Sequence, residues 1–279
     1  VAKFTEKIAY CGFDPKRPWQ MVPVWGGRYV FLEDGANMKV SLKERETMKD
    51  LSPSVAVFQE MSAPNQNKRE FGIWGYQEGK ALLHAEDSGK SAKLQIRILP
   101  TKITEVDFYL LSDRRNKTKA NSSEFPTLIA EANFFLQTQT NVWIQKRTVY
   151  DLYVDYDFGD VIDVDELIRE LKDRFPWTSP NTPSVILTWK YIKRHGYPPI
   201  SAFTKPPFII LEDPRDDTSL TFRSKIFAHE LCHYFIGPDH REGDENKHNL
   251  LHKDYIFGDS KLDRVQIVSF NKNKFVPWE

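Results

Sequence analysis

Hydrophobic residues recur along this chain in two rhythms, and the change between them falls near residue 100. From Trp19 to Pro100, short apolar runs alternate with turn residues, the period-two pattern of half-buried strands. Lys80–Leu99 is the clearest stretch. Ala81–Glu86 forms one run, Asp87-Ser-Gly-Lys90 a turn, and Ala92–Leu99 a second run with Leu94, Ile96 and Ile98 on one face. These predict a hairpin within an all-β domain over residues 1–100. Trp25, Trp74 and Tyr76 are expected in its core, because large aromatics in a small β domain are mostly buried; an exposed carbohydrate-binding surface is the alternative. Pro100-Thr-Lys reads as a linker.

From Ile103 onward, strand patterns alternate with helical ones, and residues 103–279 form the second expected domain. Val106–Leu111 predicts a strand. Ser122 or Ser123 caps a helix over Phe125–Gln139, whose buried stripe is Leu128, Ala132, Phe135 and Leu136. Val142–Arg147 and Tyr150–Tyr156 read as two strands, Val164–Phe175 as a helix, and Ser184–Tyr191 as a strand. Pro206-Pro207 introduces a short apolar strand at Phe208–Leu211. Leu220, Phe222, Ile226, Phe227, Leu231 and Phe235 then recur at three- and four-residue spacing, which predicts another helix. Its N-cap candidates are Asp216, Asp217, Thr218 and Ser219. Gly237-Pro238 ends it at Ile236, since glycine tolerates the left-handed position after a helix and proline cannot continue one.

That last helix carries the chemistry. His229 and His233 stand four apart, so both imidazoles project from one face, where a single zinc ion can accept both. Glu230, next in sequence, can serve as the general base for a metal-activated water. Two histidines on a surface helix by accident is the competing explanation. Against it, five of the seven histidines (His229, His233, His240, His248 and His252) fall in one short segment. His240 is the first candidate for a third ligand, with Asp239 as the alternative and Glu242 and Glu245 behind them. His248 and His252 are expected to be solvated, with substrate or a second metal as the alternative.

The run His229-Glu-Leu-Cys-His233…Gly237-Pro-Asp-His240 resembles the metzincin metallopeptidases, whose pattern is His-Glu-x-x-His-x-x-Gly-x-x-His. Three residues, not two, separate His233 from Gly237 here, while Gly-x-x-His is kept. Counted from His229, the family's third-ligand position falls on Asp239; counted from Gly237, it falls on His240. Asn249-Leu250-Leu251 resembles the family's methionine turn beneath the zinc, with Leu251 in place of the methionine. Leu262, Val265, Gln266 and Val268 follow as a final helix. The resemblance implies an α+β zincin catalytic domain, a mixed sheet plus an active-site helix, that hydrolyses peptide bonds. It also implies Tyr255 as a hydrogen-bond donor to the transition-state oxyanion, and an extended peptide substrate bound along the strand just before the zinc helix, at the sheet edge. Gly79-Lys-Ala-Leu-Leu with Ala92-Lys-Leu-Gln-Ile resembles bacterial immunoglobulin-like repeats, which implies an Ig-like β-sandwich over 1–100 and a protein secreted or delivered outside its producing cell.

Composition removes several other classes. The 279 residues suffice for two cores, and 39 Lys plus Arg against 39 Asp plus Glu leave no net pull toward nucleic acid. No apolar run approaches a membrane span. The start Val-Ala-Lys, without methionine or signal pattern, suggests a processed or excised chain. Cys232, within the candidate zinc helix, is expected to pack rather than bond to Cys11, the other cysteine. Two rivals to a peptidase stand: a binding or adhesion module with a structural or degenerate zinc site, and a zinc amidase acting on cell wall.

Overall fold

The hairpin read from the alternation of Leu94, Ile96 and Ile98 lies at the centre of the first half of the chain. Ser88 (φ 42°) and Gly89 (φ 86°) turn it with two consecutive left-handed residues, the backbone that matches the twist of the flanking strands. The computed structural model describes residues 1–7, 12–15, 18–61, 67–174, 182–189, 192–194, 200–212, 220–240, 242, 249–252 and 261–272. Among the described residues this half holds nine strands: β1 (Lys3–Glu6), β2 (Phe13–Asp14), β3 (Trp19–Pro23), β4 (Gly26–Glu33), β5 (Lys39–Glu44), β6 (Ala56–Glu60), β7 (Lys68–Gly75), β8 (Gly79–Asp87) and β9 (Lys90–Leu99). They form two sheets, β1-β4-β7-β6 and β2-β3-β9-β8-β5, around a core that includes Val30, Leu32, Phe71, Ile73, Leu83 and Leu94. One expectation fails here. Trp25 is 80% exposed and holds a left-handed backbone (φ 58°), and Trp74 is only half-buried, its ring lying over Gly27 and Gly72, where a Cβ would collide with it. The core is filled by smaller aliphatic residues and phenylalanines, which the period-two pattern places inward.

The second half is built on a main five-stranded sheet with helices on both faces, beside a two-stranded sheet of Ile162–Asp163 and Ile192–Lys193. Its elements are β10 (Lys102–Ser112), α1 (Phe125–Thr140), β11 (Val142–Tyr153), β12 (Ile162–Asp163), α2 (Val164–Arg174), β13 (Ser184–Thr188), β14 (Ile192–Lys193), β15 (Ala202–Lys205), β16 (Phe208–Glu212), α3 (Leu220–Ile236) and α4 (Arg264–Lys272). The main sheet runs β11-β10-β13-β16-β15, with β10, β13 and β16 parallel and β15 antiparallel to β16. Strand alternation supplies both faces. Tyr109, Ile186, Phe208 and Ile210 pack with Leu167, Ile168 and Leu171 of α2, while Phe108 stacks on Phe125 of α1 (4.4 Å) and tilts against Phe227 of α3 (5.8 Å). The chain is thus mixed α+β, with several sheets and few helices. It divides into two compact units, one of residues 1–102 with 138–141 and 261–268, the other of the remaining residues. Each unit carries a core of its own.

Several element boundaries differ from the sequence reading, each for a local reason. Val142–Tyr153 is one continuous strand rather than two, because its polar central residues sit on an outer strand of the sheet, exposed or half-exposed. Asn121, not Ser122 or Ser123, provides the cap: its side chain accepts from the Ser123 N–H at the start of a single 3-10 turn preceding α1. In α4, Leu262 precedes the helix and Val265 faces solvent, while Gln266, Ile267 and Phe270 are buried. The most consequential difference concerns β16. Both its edges are paired, by β13 and β15, so among the described residues the outer strand beside α3 is β15, which the sequence reading missed.

Candidate metal centre

Helix α3 ends where the glycine-proline pair predicts. Gly237 takes φ +124°, and its N–H donates to the His233 carbonyl at 3.0 Å, closing the last turn. Phe227 and Leu231 are buried, and the Phe235 ring packs on Phe270 of α4 at 4.7 Å. The helix is therefore anchored along its apolar side. His229 and His233 follow from its pitch, their rings 4.6 Å apart and nearly perpendicular. Past Gly237 the chain returns His240, whose ring lies 4.6 Å from that of His233 and 5.4 Å from that of His229.

Hydrogen bonding on the far side of two of these rings sets their tautomers. His229 Nδ1 lies 2.6 Å from the Leu250 carbonyl oxygen, and His233 Nδ1 lies 3.0 Å from the Gly237 carbonyl oxygen. A carbonyl oxygen only accepts, so each Nδ1 carries the proton and donates. In a neutral ring, Nε2 then carries no proton and presents a lone pair. Burial, chiefly, pushes the His229 imidazole down to about 3 and the His233 imidazole down to about 4, so both are neutral near pH 7. Yet His233 Nε2 stands 2.9 Å from His229 Nε2 and 3.1 Å from His240 Nε2. Two lone pairs facing at 2.9 Å repel unless a cation lies between them.

The donor set fits zinc. Ligating atoms of His229, His233 and His240 all lie within 4.8 Å of one another. Zinc–nitrogen bonds of about 2.0–2.1 Å at tetrahedral angles place ligand nitrogens about 3.3 Å apart. The Nε2–Nε2 separations of 2.9 and 3.1 Å approach that value. Neutral imidazoles with Nδ1 bonded to carbonyls are also the usual presentation of histidine to this metal.

Of the other candidates, Asp239 and Glu242 are exposed and outside this group. Glu230 is buried, 5% exposed, and burial raises its carboxyl to about 7 against the lowering effect of a hydrogen bond from Thr204. That threonine was missed from sequence. Its Oγ1 donates to Glu230 Oε2 at 2.6 Å and lies 3.1 Å from the Glu230 carbonyl oxygen. Leu250 and Leu251 are buried in a tight turn in which Asn249 Oδ1 accepts from the Leu251 N–H at 2.8 Å. His252 is buried, not solvated; its N–H donates to the Asn249 carbonyl, closing the same turn. Cys232 is fully buried, and burial pushes its thiol well above the usual range, so it packs as an apolar residue. Tyr255, His248, Glu245, Cys11 and the N-cap candidates Asp216, Asp217, Thr218 and Ser219 lie outside the described residues.

No protein-family model matches the chain, and no curated protein matches it. Among solved structures, it is similar to archaemetzincin from Methanopyrus kandleri, at 14% identity and a TM-score of 0.42 over 61% of this chain and 95% of that one. It is likewise similar to archaemetzincin from Archaeoglobus fulgidus in complex with malonate, at 15% identity and a TM-score of 0.40 over 60% of this chain and 99% of that one. A third likeness is to domains 1–6 of the surface layer protein SbsC, at 11% identity and a TM-score of 0.24. It covers 30% of this chain, which spans 12% of that protein.

Proposed function

We propose that this chain is a zinc-dependent endopeptidase, with His229, His233 and His240 as metal ligands and Glu230 as general base. The observation that carries the reading is the facing pair of Nε2 lone pairs at 2.9 Å, each fixed by a carbonyl behind its ring. Such an arrangement is stable with a shared cation and strained without one. Three histidine ligands would leave room for water or substrate on a zinc ion held here, as in catalytic rather than structural zinc sites. Zinc, when bound, supplies a Lewis acid that polarises a carbonyl and acidifies water.

The remaining steps belong to the chain's own residues. Glu230 accepts one proton as the water oxygen bonds to the carbonyl carbon of the substrate. The carbon–nitrogen bond then breaks, and Glu230 returns that proton to the departing amine. A carboxyl held by its burial near the middle of the working range suits a group that must take and give a proton. An extended peptide is the fitting substrate. β15 has a partner on one side only among the described residues, so its outer edge offers N–H and C=O groups for strand addition. This moves the expected substrate strand from 208–211 to 202–205.

The reading is tested by metal analysis and proteolysis on the same preparation. Protein purified without chelator is expected to carry about one zinc per chain and to release fluorescent fragments from labelled casein, with chelator stopping the release. A protein that neither retains nor takes up zinc has no metal centre of this kind. One that binds zinc but cleaves peptidoglycan in place of casein is the amidase instead.

A further inference from the structure

The Thr204 side chain links the strand β15 to the helix α3. Thr204 sits in register with Ile209 of β16, and from this outer strand its hydroxyl reaches Glu230. A hydroxyl has one proton to give. At 2.6 Å from Oε2 and 3.1 Å from the backbone oxygen of the same residue, that proton goes mainly to the carboxylate. The bond therefore ties the end of the Glu230 side chain to the strand beside its helix. Glutamate has three side-chain torsions to fix, and a base must hold its oxygen within a fraction of an ångström of the proton it takes.

We propose that Thr204 is a positioning residue for Glu230, and that it makes the base sensitive to whether a substrate chain is paired along β15. With Oε2 held by the hydroxyl, Oε1 is the oxygen left to take the proton. A peptide that pairs with β15 steadies the strand from its open side, and the Thr204 hydroxyl passes that order to the carboxylate. Long substrates then gain in turnover, not only in affinity. This inference rests on the peptidase reading above.

The test uses three full-length proteins loaded with zinc: wild type, Thr204→Val and Thr204→Ser. Valine keeps the volume and β-branching but cannot donate, while serine keeps the donor. With labelled casein, Thr204→Val is expected to lose about 10–100-fold in kcat with little change in KM and full zinc content, and Thr204→Ser to recover most of the loss. The turnover advantage of casein over a labelled tripeptide should shrink in Thr204→Val. A second readout needs no activity. In zinc-free protein, the melting temperatures of wild type, Thr204→Val, Glu230→Ala and the double variant should depart from additivity by about 2–4 °C. Wild type active on casein with Thr204→Val equally fast, a loss that serine does not repair, or additive melting temperatures would each overturn the role of Thr204 alone. If zinc-loaded wild type fails on casein, the peptidase reading falls and takes this role with it.

Discussion

Leu250 enters the metal centre through its carbonyl oxygen, and a neighbouring side chain aims that oxygen. Asn249 Oδ1 accepts from the Leu251 N–H, and the Asn249 carbonyl accepts from the His252 N–H, so the turn is fixed at both ends while Leu250 O faces His229 Nδ1. Replacing Asn249 with alanine removes the first of these bonds. Zinc affinity is expected to fall about 10–100-fold, as for other groups that orient a ligand from behind. Competition with a chromophoric chelator measures it, and an unchanged affinity would show that the turn holds without Asn249. The same titration separates the third-ligand candidates: His240→Ala should weaken zinc far more than Asp239→Ala, because only His240 joins the imidazole group. Glu230→Gln should keep the metal and lose about 100- to 10,000-fold in turnover, since the amide cannot take a proton. At this scale the sequence shows some groups and hides others. His229 and His233 were legible because four residues on a helix make one face, whatever surrounds it. The carbonyls of Leu250 and Gly237 were not, since every residue has one and only the fold selects which faces a ring. Thr204 was equally silent, being one hydroxyl on a strand whose place beside α3 only the tertiary structure sets.

Among the elements, length decided what could be read. The pair β8 and β9 offers many alternations and a turn that permits left-handed backbone, so its existence and register were both legible. β15 has four residues, Ala202-Phe-Thr-Lys205, too few for a period to emerge, and this strand, outermost in its sheet among the described residues, was therefore missed. The stop of α3 was legible for the opposite reason, since one residue dictates it. Gly237→Ala should cost about 1 kcal/mol or more, because a side chain at φ +124° is strained. The expected readout is a lower melting temperature together with weaker zinc binding, since the Gly237 carbonyl accepts from His233. In the first unit, strands β6 and β7 are joined by Arg69, whose Nε and Nη2 each lie 2.7 Å from a Glu60 carboxylate oxygen, while Nη1 donates to the carbonyls of Gly35 and Met38. The bonds from Arg69 hold the Glu60 carboxyl below its ordinary value of 4.5. A carboxylate with a depressed folded-state pKa contributes stability that is complete above the unfolded value and lost as pH falls through the folded one. Glu60→Gln should therefore be about 1–2 kcal/mol less stable than wild type at pH 7, with the gap closing as pH falls below the ordinary carboxylate range. Denaturant unfolding across that range measures it, and a gap that stays constant with pH would mean that the pair contributes through shape rather than charge.

For the whole molecule, the presence of two separate cores governs how metal removal should be felt. The three proposed zinc ligands, the turn at 249–252 and the strand β15 all belong to the second unit, while β8 and β9 build the first. A ligand stabilises only the structure whose unfolding releases it. At a free zinc concentration one hundred times the dissociation constant, that amounts to about 2.7 kcal/mol. Spread over a unit of this size, the gain corresponds to about 5–10 °C in melting temperature. Removing zinc also restores the repulsion between the His229 and His233 lone pairs, and α3 is where that repulsion acts. Amide hydrogen exchange with and without chelator locates the response. Amides of α3 and of the 249–252 turn are expected to lose protection, while those of β8 and β9, whose pairing involves no metal-dependent group, keep theirs. Equal loss in β8 and β9 would mean that the two units unfold as one cooperative body, so that a single metal site sets the stability of the entire chain.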